Sequence, residues 1–319
     1  MKKLVLGMLA MTALVGCSSN NDPVDEVGNG EKVEIKLNAG VVGVETKAAI
    51  ATEGSDITAF TNTTVPLFRM DASTDPTWAS VTSSVDATIN GSIVTLDATQ
   101  KYYVNDLNAY FIGYYSQLTP TVEKNVLKFS GVDGTKDIIC TNQVDAGNKT
   151  TPTASAVLTF NHMVSKIAIN IMGTAAAQQA FGNITKIELV NIPTSIDITL
   201  GKTASIAANT ASASASIILY DDDDVTGTAI PTAATSIGVI PKIFNGGATP
   251  YGTVSAPLKL KIYTKNNTGG IEVSVTSIEG GLELGKTHTI TLTFKDQIGV
   301  TSAISGWENS SHNGSGEVG

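Results

Sequence analysis

Apolar residues occur at every second position through much of the chain from Val33 onward. In the first run, Val33, Ile35 and Leu37 alternate with charged and polar residues. Similar runs follow at 167–171, 258–262, 271–275 and 288–294. This period of two is typical of strands that bury one face and leave the other in water.

Segments rich in Gly, Asn, Asp and Pro separate the alternating runs, as expected for turns between strands. The window Thr174–Phe181, with its Ala and Gln residues, is the one convincing helical stretch. Many short strands with few helices favour an all-β chain built from sandwiches over a parallel α/β sheet.

The length of 319 residues leaves room for two globular domains or one large β domain. A polar stretch at 145–153 lies just before the strand-like run that starts at Ala156. A division near residue 155 predicts an N-terminal β-sandwich over 32–155 and a C-terminal β-sandwich over 156–319. A polar connection of this length also suits a loop within one domain, so that alternative stays open.

The first residues have the pattern of an export signal. Two lysines precede the apolar run Leu4–Leu14, which is too short to cross a bilayer. The signal ends in Leu14-Val15-Gly16-Cys17. That ending resembles a bacterial lipobox, which implies that residues 1–16 are removed and that Cys17 is acylated. The alternative is an ordinary signal peptide with an incidental cysteine. Residues 17–31 are polar and acidic, which is typical of a tether.

Charge and cysteine content exclude several classes of protein. The chain has 20 Lys and Arg against 29 Asp and Glu, a net charge of -9, so its surface repels the phosphates of nucleic acids. Arg69 is the sole arginine, which leaves one residue for bidentate recognition of phosphate. Cys17 and Cys140 are the two cysteines, and with Cys17 acylated no intramolecular disulfide is expected. Cys140 lies in an apolar stretch, as a buried small hydrophobe would.

The sequence lacks a recognisable catalytic or metal-binding motif. Its three histidines, His162, His288 and His312, are far apart and have no metal-ligand spacing. The acidic run 221–224 suits a solvated hairpin tip better than a weak calcium site, because the distal Glu of an EF-hand loop is absent. The aromatic cluster at 102–115 fits a packed core better than a sugar-stacking surface. We therefore expect no catalytic residues, no bound metal and no cofactor.

Several segments, taken in order, carry a family resemblance. They are the lipobox, a first strand followed by Glu45-Thr46-Lys47-Ala48-Ala49, then Phe111-Ile112-Gly113-Tyr114-Tyr115, the run 158–167, Leu284-Gly285-Lys286-Thr287-His288-Thr289-Ile290, and Ile298-Gly299-Val300 leading to Ile304-Ser305-Gly306-Trp307. In this order and spacing they resemble the fimbrillins, the type V pilus subunits of Gram-negative gut and oral bacteria. The resemblance covers nearly the whole chain.

The resemblance implies two transthyretin-like Greek-key β-sandwich domains and export as a palmitoylated lipoprotein to the outer membrane. It also implies other fimbrial subunits and a processing protease as partners. In this family a protease of trypsin-like specificity cuts after a basic residue beyond the first strand, usually arginine, and the matching residue here is Lys47. The difference leaves two alternatives: a lysine-tolerant protease, or an anchor subunit that is never cut.

Under this interpretation the first strand is a removable plug. Loss of Val33, Ile35 and Leu37 would expose an apolar groove and unpaired backbone groups, which an incoming strand would cover. The candidate donor is the alternating C-terminal run Ile298, Val300, Ser302 and Ile304 of a neighbouring subunit. The alternative is that both ends are ordinary strands of a monomeric sandwich.

Two functions follow from these alternatives. The first is a structural or accessory subunit of a cell-surface fimbria that assembles by protease-triggered strand exchange and supports adhesion. The second is a monomeric surface lipoprotein that binds a glycan or a host protein. A fimbrial subunit must stay folded when cleavage after Lys47 removes its first strand. A simple binding module should unfold when it loses that strand. A secreted hydrolase is disfavoured, because no catalytic constellation is present.

Overall fold

The computed structural model describes residues 32–42, 57–81, 83–154, 156–209, 213–222, 226–295 and 298–307. Strands dominate these residues, and the described part from Val33 onward belongs to one compact unit. The all-β class predicted from the alternating pattern is therefore confirmed. The transthyretin-like topology implied by the resemblance stays a prediction.

The described strands are numbered in chain order. The first eleven are β1 (Leu37–Val41), β2 (Thr63–Ala72), β3 (Val85–Asn90), β4 (Ile93–Leu96), β5 (Asn108–Ser116), β6 (Thr121–Glu123), β7 (Val126–Ser130), β8 (Ile138–Thr141), β9 (Val144–Asp145), β10 (Ala156–His162) and β11 (Ser165–Gly173). The others are β12 (Ile184–Pro193), β13 (Ser195–Thr199), β14 (Ser205–Ala208), β15 (Ser214–Asp221), β16 (Thr235–Ile237), β17 (Lys242–Ile243), β18 (Leu258–Thr264), β19 (Asn267–Val275), β20 (Lys286–Phe294) and β21 (Ile298–Gly306).

The predicted helix is confirmed as α1 (Ala175–Phe181), which lies between β11 and β12. Thr174 caps its N-terminus, because its hydroxyl oxygen accepts a hydrogen bond of 3.1 Å from the backbone N–H of Ala177. Short 3-10 helices at Trp78–Ser80 and Ala98–Gln100 are the remaining helical turns in the described residues.

Seven strands of the first sheet form a closed ring of pairings. The order runs β2, β3, β4, β1, β10, β8 and β5, and β5 pairs again with β2, while β9 attaches to the side of β5. The ring closes because β2 is long enough to serve two neighbours: Thr63–Leu67 pairs with β3 and Leu67–Ala72 pairs with β5. A ring of this kind leaves no free edge, so each member depends on both of its neighbours.

The second half of the chain forms a sandwich of two sheets. One sheet has the order β16, β11, β20, β21, with β17 also pairing with β11, and the other has the order β15, β12, β18, β19. Inward-facing aliphatic side chains from both sheets share one core, which includes Ile169, Leu189, Leu260 and Leu292. A fourth sheet, β14, β13, β7, β6, covers a separate core that contains Phe129, Ile196 and Ile198.

Strands on either side of residue 155 share sheets. β10 begins at Ala156 but lies in the ring, between β1 and β8, and β7 pairs with β13 along five residues. A division near residue 155 would leave β10, a strand of the later half, inside the sheet of the earlier half. The division stays a prediction.

Candidate functional site

The first strand lies inside the ring, between β4 and β10. It runs parallel to β10, with Leu37 opposite Ala156 and Val41 opposite Phe160, and antiparallel to β4, with Leu37 opposite Val94. Among the described residues, β1 is the strand that joins β4 to β10. Its removal would open the ring and leave two facing edges without partners.

The residues just before β1 are also held by backbone hydrogen bonds. The N–H of Ile35 donates to the carbonyl of Lys101 at 2.9 Å, and the N–H of Tyr103 donates to the carbonyl of Val33 at 3.2 Å. The Lys101 ammonium lies 3.6 Å from the Glu34 carboxylate, although both side chains are partly exposed and the pair contributes little. The paired segment therefore begins at Val33, before the regular strand starts at Leu37.

One face of this segment is buried in the core of the ring. Ile35, Leu37 and Ala39 are 5%, 4% and 5% exposed, and the half-buried Val33 and Val41 pack against the same core. The alternating sequence pattern predicted that Val33, Ile35 and Leu37 lie on this face. Ala39 and Val41 extend it, because the alternation continues to the end of β1.

The other face of β1 is in solvent. Lys36 and Gly40 are exposed, and Asn38 lies opposite Ile93 of β4 on one side and Val157 of β10 on the other. Ile93 is 65% exposed and Val157 is 45% exposed. Two apolar side chains therefore flank β1 on the outer surface of the sheet.

Three residues singled out from the sequence, Cys17, Lys47 and His312, lie outside the described residues. The chain is held on both sides of the segment that contains Lys47. Before it, the N–H of Val42 donates to the carbonyl of Phe160 at 2.9 Å. After it, the N–H of Ile57 donates at 3.0 Å to the buried carboxylate of Asp137.

Arg69, the sole arginine, is engaged inside the folded ring. Its side chain is 5% exposed, lies 3.1 Å from the Asp71 carboxylate and donates to the carbonyl oxygens of Gln100 and Tyr102. A trypsin-like protease binds an extended, accessible chain and cannot reach this residue in the native fold. Lys47 is the one basic residue between Lys36 and Arg69.

The candidate donor strand lies in a different sheet from β1. β21 pairs antiparallel with β20 along nine residues and is an edge strand of its sheet. Ile298 and Val300 are half-buried against the core of the second sandwich, while Ile304 is 41% exposed. Within one chain the structure does not bring β1 and β21 together, and they share no sheet.

The residue after β21 anchors the end of that strand. Trp307 is 3% exposed and stacks on the ring of His162, with ring centroids 3.9 Å apart. The Lys166 ammonium lies 4.5 Å from the centre of the Trp307 ring, which adds a cation–π contact. The sequence indicated Trp307 through the family resemblance alone, because periodicity carries no information on which distant residue an aromatic ring contacts.

The two histidines predicted to be structural are buried in the fold. His162 Nδ1 lies 3.0 Å from Asp137 Oδ2, and the same carboxylate accepts hydrogen bonds from the N–H groups of Ile57 and Ile138. Burial lowers the pKa of His288, so its ring is neutral at neutral pH, and Nε2 accepts a hydrogen bond from the N–H of Glu283 at 2.9 Å. Both rings hold polar groups of the core.

The described residues contain little else that suggests chemistry. Cys140 is fully buried, and burial raises the pKa of its thiol, which keeps it protonated. No group of three His, Cys, Asp or Glu side chains in the described ranges is placed to hold a metal ion. The helices in this part of the chain are too short or too polar to cross a membrane.

Replacing Trp307 with alanine is expected to loosen β21. Truncation of a buried Trp costs about 3–5 kcal/mol, and here the loss falls on the anchor of an edge strand. Hydrogen exchange measured by mass spectrometry should therefore become faster at 298–306 and stay unchanged in β3 and β4, whose buried side chains belong to a different core cluster. Trp307→Phe keeps an aromatic ring against His162 and should change exchange much less. Unchanged exchange in Trp307→Ala would contradict the anchoring role.

A family model matches most of the chain. The model of the family described as Fimbrillin-like matches residues 46–307, a region that begins one residue before Lys47 and ends at Trp307. No curated protein matches the sequence.

Three solved structures are among those similar to this chain. A candidate cell adhesion protein from Bacteroides uniformis aligns with a TM-score of 0.53 and 15% identity, covering 87% of this chain and 99% of that one. A fimbrial protein from Bacteroides vulgatus has a TM-score of 0.49 and 13% identity, covering 87% and 100%. The tip fimbrial protein Mfa3 from Porphyromonas gingivalis, truncated at its C-terminus, has a TM-score of 0.43 and 12% identity, covering 87% and 100%.

At 15% identity the likeness to the Bacteroides uniformis structure concerns the fold alone. The family match, in contrast, spans the ring from β2 onward, the second sandwich and the anchor Trp307. The chain therefore belongs to the Fimbrillin-like family.

Proposed function

We propose that this protein is a structural or accessory subunit of a cell-surface fimbria, assembled by strand exchange after proteolysis. The observation that carries the proposal is the position of β1, which lies between β4 and β10 and closes the ring. The family match starts at residue 46, so β1 precedes the matched region. A removable strand in that position gives a subunit a built-in acceptor groove.

Anchoring to the outer membrane is the first step. Acylation of Cys17 would attach the chain to lipid, and the polar residues 17–31 would hold the folded body away from the bilayer. A single acyl chain binds membranes weakly, whereas several chains on one residue give stable attachment. The lipid anchor thus keeps the uncut chain at the cell surface.

Cleavage after Lys47 is the second step. Lys47 is the basic residue that follows β1, and the buried Arg69 is protected in the fold. A cut at this point leaves β1 attached by noncovalent contacts alone. It also separates the lipid-bearing segment from the body that enters the fimbria.

Loss of β1 exposes an acceptor groove. Burial of a large aliphatic side chain contributes about 1.5–3 kcal/mol, so the sites of Ile35 and Leu37 alone represent several kcal/mol of apolar contact. The backbone groups of β4 and β10 also lose their partners. A strand that restores both kinds of contact is therefore bound strongly.

The donor is β21 of a neighbouring subunit. As an edge strand it gives up pairing with one strand when it leaves, and its half-buried face loses less apolar contact than β1 does. Trp307 has to leave its site on His162 for β21 to be released. The function needs protein–protein contacts and no catalytic group, metal or cofactor, in line with the family.

N-terminal sequencing of protein recovered from surface fibres tests this function. The expected first residue is Ala48, because cleavage after Lys47 precedes incorporation. The unincorporated precursor in the same cells serves as control and should begin at Cys17. Fibre-bound protein that still carries β1 would contradict strand exchange, and protein found only as a monomer would favour the binding lipoprotein.

Cys17→Ala is expected to abolish lipid attachment. The variant lacks the thiol that carries the acyl chain, so it should not incorporate labelled palmitate and should leave the detergent phase. Cys140→Ala is the matched control and should keep both properties, since Cys140 is buried. Equal labelling of wild type and Cys17→Ala would show that Cys17 is not the site of acylation.

A further inference from the structure

The buried face of the first segment has a particular order of side-chain sizes. Ile35 and Leu37 are large, Ala39 is small and Val41 is large again. Ala39 is 5% exposed within the core of the ring, so its site has room for a small side chain. Interiors are closely packed, and both a void and an extra group at such a site are destabilising.

The C-terminal strand repeats this order of sizes. Ile298 and Val300 are large, Ser302 is small and Ile304 is large. The alternation places these four residues on one face of β21. Two strands of different sheets therefore carry the same sequence of large, large, small and large side chains.

We propose that β21 of a second copy enters the groove in the chain direction of β1 and in one register, with Ser302 in the place of Ala39. This inference rests on the strand exchange proposed above. In this register Ile298 takes the site of Ile35 and runs onward parallel to β10. The incoming strand is then antiparallel to β4, as β1 is.

The outward face is compatible with the same register. Ala303 falls at the site of Gly40, where an added Cβ would meet no atom within 4 Å. Thr301 falls at the site of Asn38, between the exposed side chains of Ile93 and Val157. A threonine methyl group there covers apolar surface that an asparagine amide does not.

Other arrangements mismatch the groove. A shift by two residues toward the N-terminus of β1 puts Ser302 at the site of Leu37 and Ile304 at that of Ala39. Reversal of the strand about Thr301 also puts Ser302 at the site of Leu37, with Val300 at that of Ala39. Each arrangement combines a void at one site with overpacking at the next.

Cysteine pairs between two variants test the register. Asn38 and Ile93 face each other without mutual hydrogen bonds, since the neighbouring Ala39 N–H donates to the carbonyl of Ser92, and such pairs are close across antiparallel strands. Thr301→Cys in the donor should therefore form a disulfide with Ile93→Cys in the acceptor. Gly299→Cys and Ala303→Cys are the matched donors displaced by two residues.

A second pair tests the direction. Gly40 lies opposite Thr159 of β10, so Ala303→Cys in the donor should link to the exposed Thr159→Cys in the acceptor. A reversed strand would instead bring Gly299→Cys to this position. Linkage of Thr159→Cys to Gly299→Cys in preference to Ala303→Cys would overturn the proposed direction.

The full-length variants carry Cys17→Ala so that they stay unacylated, and Cys140 is buried and unreactive. Donor and acceptor are mixed, cut with limited trypsin and oxidised with glutathione disulfide, and linked peptides are identified by mass spectrometry. The two expected pairs should dominate, and linkage should be lost when Lys47→Ala prevents the cut. Oligomers linked through other pairs would overturn the register and leave strand exchange standing. Trimmed protein that stays monomeric and forms no link would overturn strand exchange itself.

Discussion

Lys47→Ala should abolish assembly while the fold stays intact. The substitution removes the one basic residue between Lys36 and the buried Arg69, so β1 stays covalently attached and occupies its own groove. We expect no oligomer ladder after limited trypsin treatment, whereas wild type is expected to give one. Size-exclusion chromatography and circular dichroism measure the two parts of this result.

Lys47→Arg is the matched control and also tests the two alternatives for processing, a lysine-tolerant protease and an anchor subunit that is never cut. If the protease of the cell is arginine-specific, wild type should stay uncut, as an anchor subunit would, and Lys47→Arg should be cut. Equal cutting of both would indicate a lysine-tolerant protease. If Lys47→Ala still assembles and carries β1 in its oligomers, the groove is not the assembly site.

Val300→Asp is expected to leave cleavage normal and to block the donor step. In the filled groove the carboxylate would face an apolar core, and an unpaired buried charge costs several kcal/mol. Before assembly the same side chain borders an open cleft of about 580 Å³ lined by Phe181, Ile271 and Ile298, where water can reach it. The monomer should therefore fold and be trimmed, but its β21 should not be accepted.

Thr301→Asp is the matched control, because it places the same charge one residue away on the opposite face of the strand, which is the outer face in the filled groove. It should assemble nearly as wild type does. Val300→Asp keeps an intact acceptor groove, so it should bind one wild-type subunit and stop growth there. Electron microscopy of mixtures should show fibres that shorten as its fraction rises, and normal fibre length would contradict the donor role of β21.

The alternating pattern predicted much of the local structure. It indicated the strands around Ile35, Ile169, Leu260 and Leu292 and the buried faces that these residues occupy. It underestimated the first strand, because Ala39 is small and only weakly apolar and Gly40 interrupts β propensity. Ala39 is buried because the neighbouring strands cover it, which its own weak hydrophobicity does not predict.

The anchor at the end of β21 was beyond sequence reasoning. Asp137 holds both His162 and the backbone of Ile57, and His162 in turn stacks on Trp307. These residues come from four distant parts of the chain, and no spacing relates them. A histidine in an apolar context indicates burial, but its partners depend on how the sheets pack.

By itself the sequence determined that the protein is all-β, which residues alternate on the faces of its strands, and that its composition opposes nucleic-acid binding. The alternation is a local property and the net charge is a sum over the chain, so neither depends on which strands are neighbours in the fold. The tertiary structure alone decided that β1 is an internal strand that closes a ring, while β21 is an edge strand. Both strands have the same period of two, so the pattern does not distinguish them. They differ in their pairing with strands distant in sequence, such as that of Leu37 with Ala156. Loop closure and packing select these neighbours.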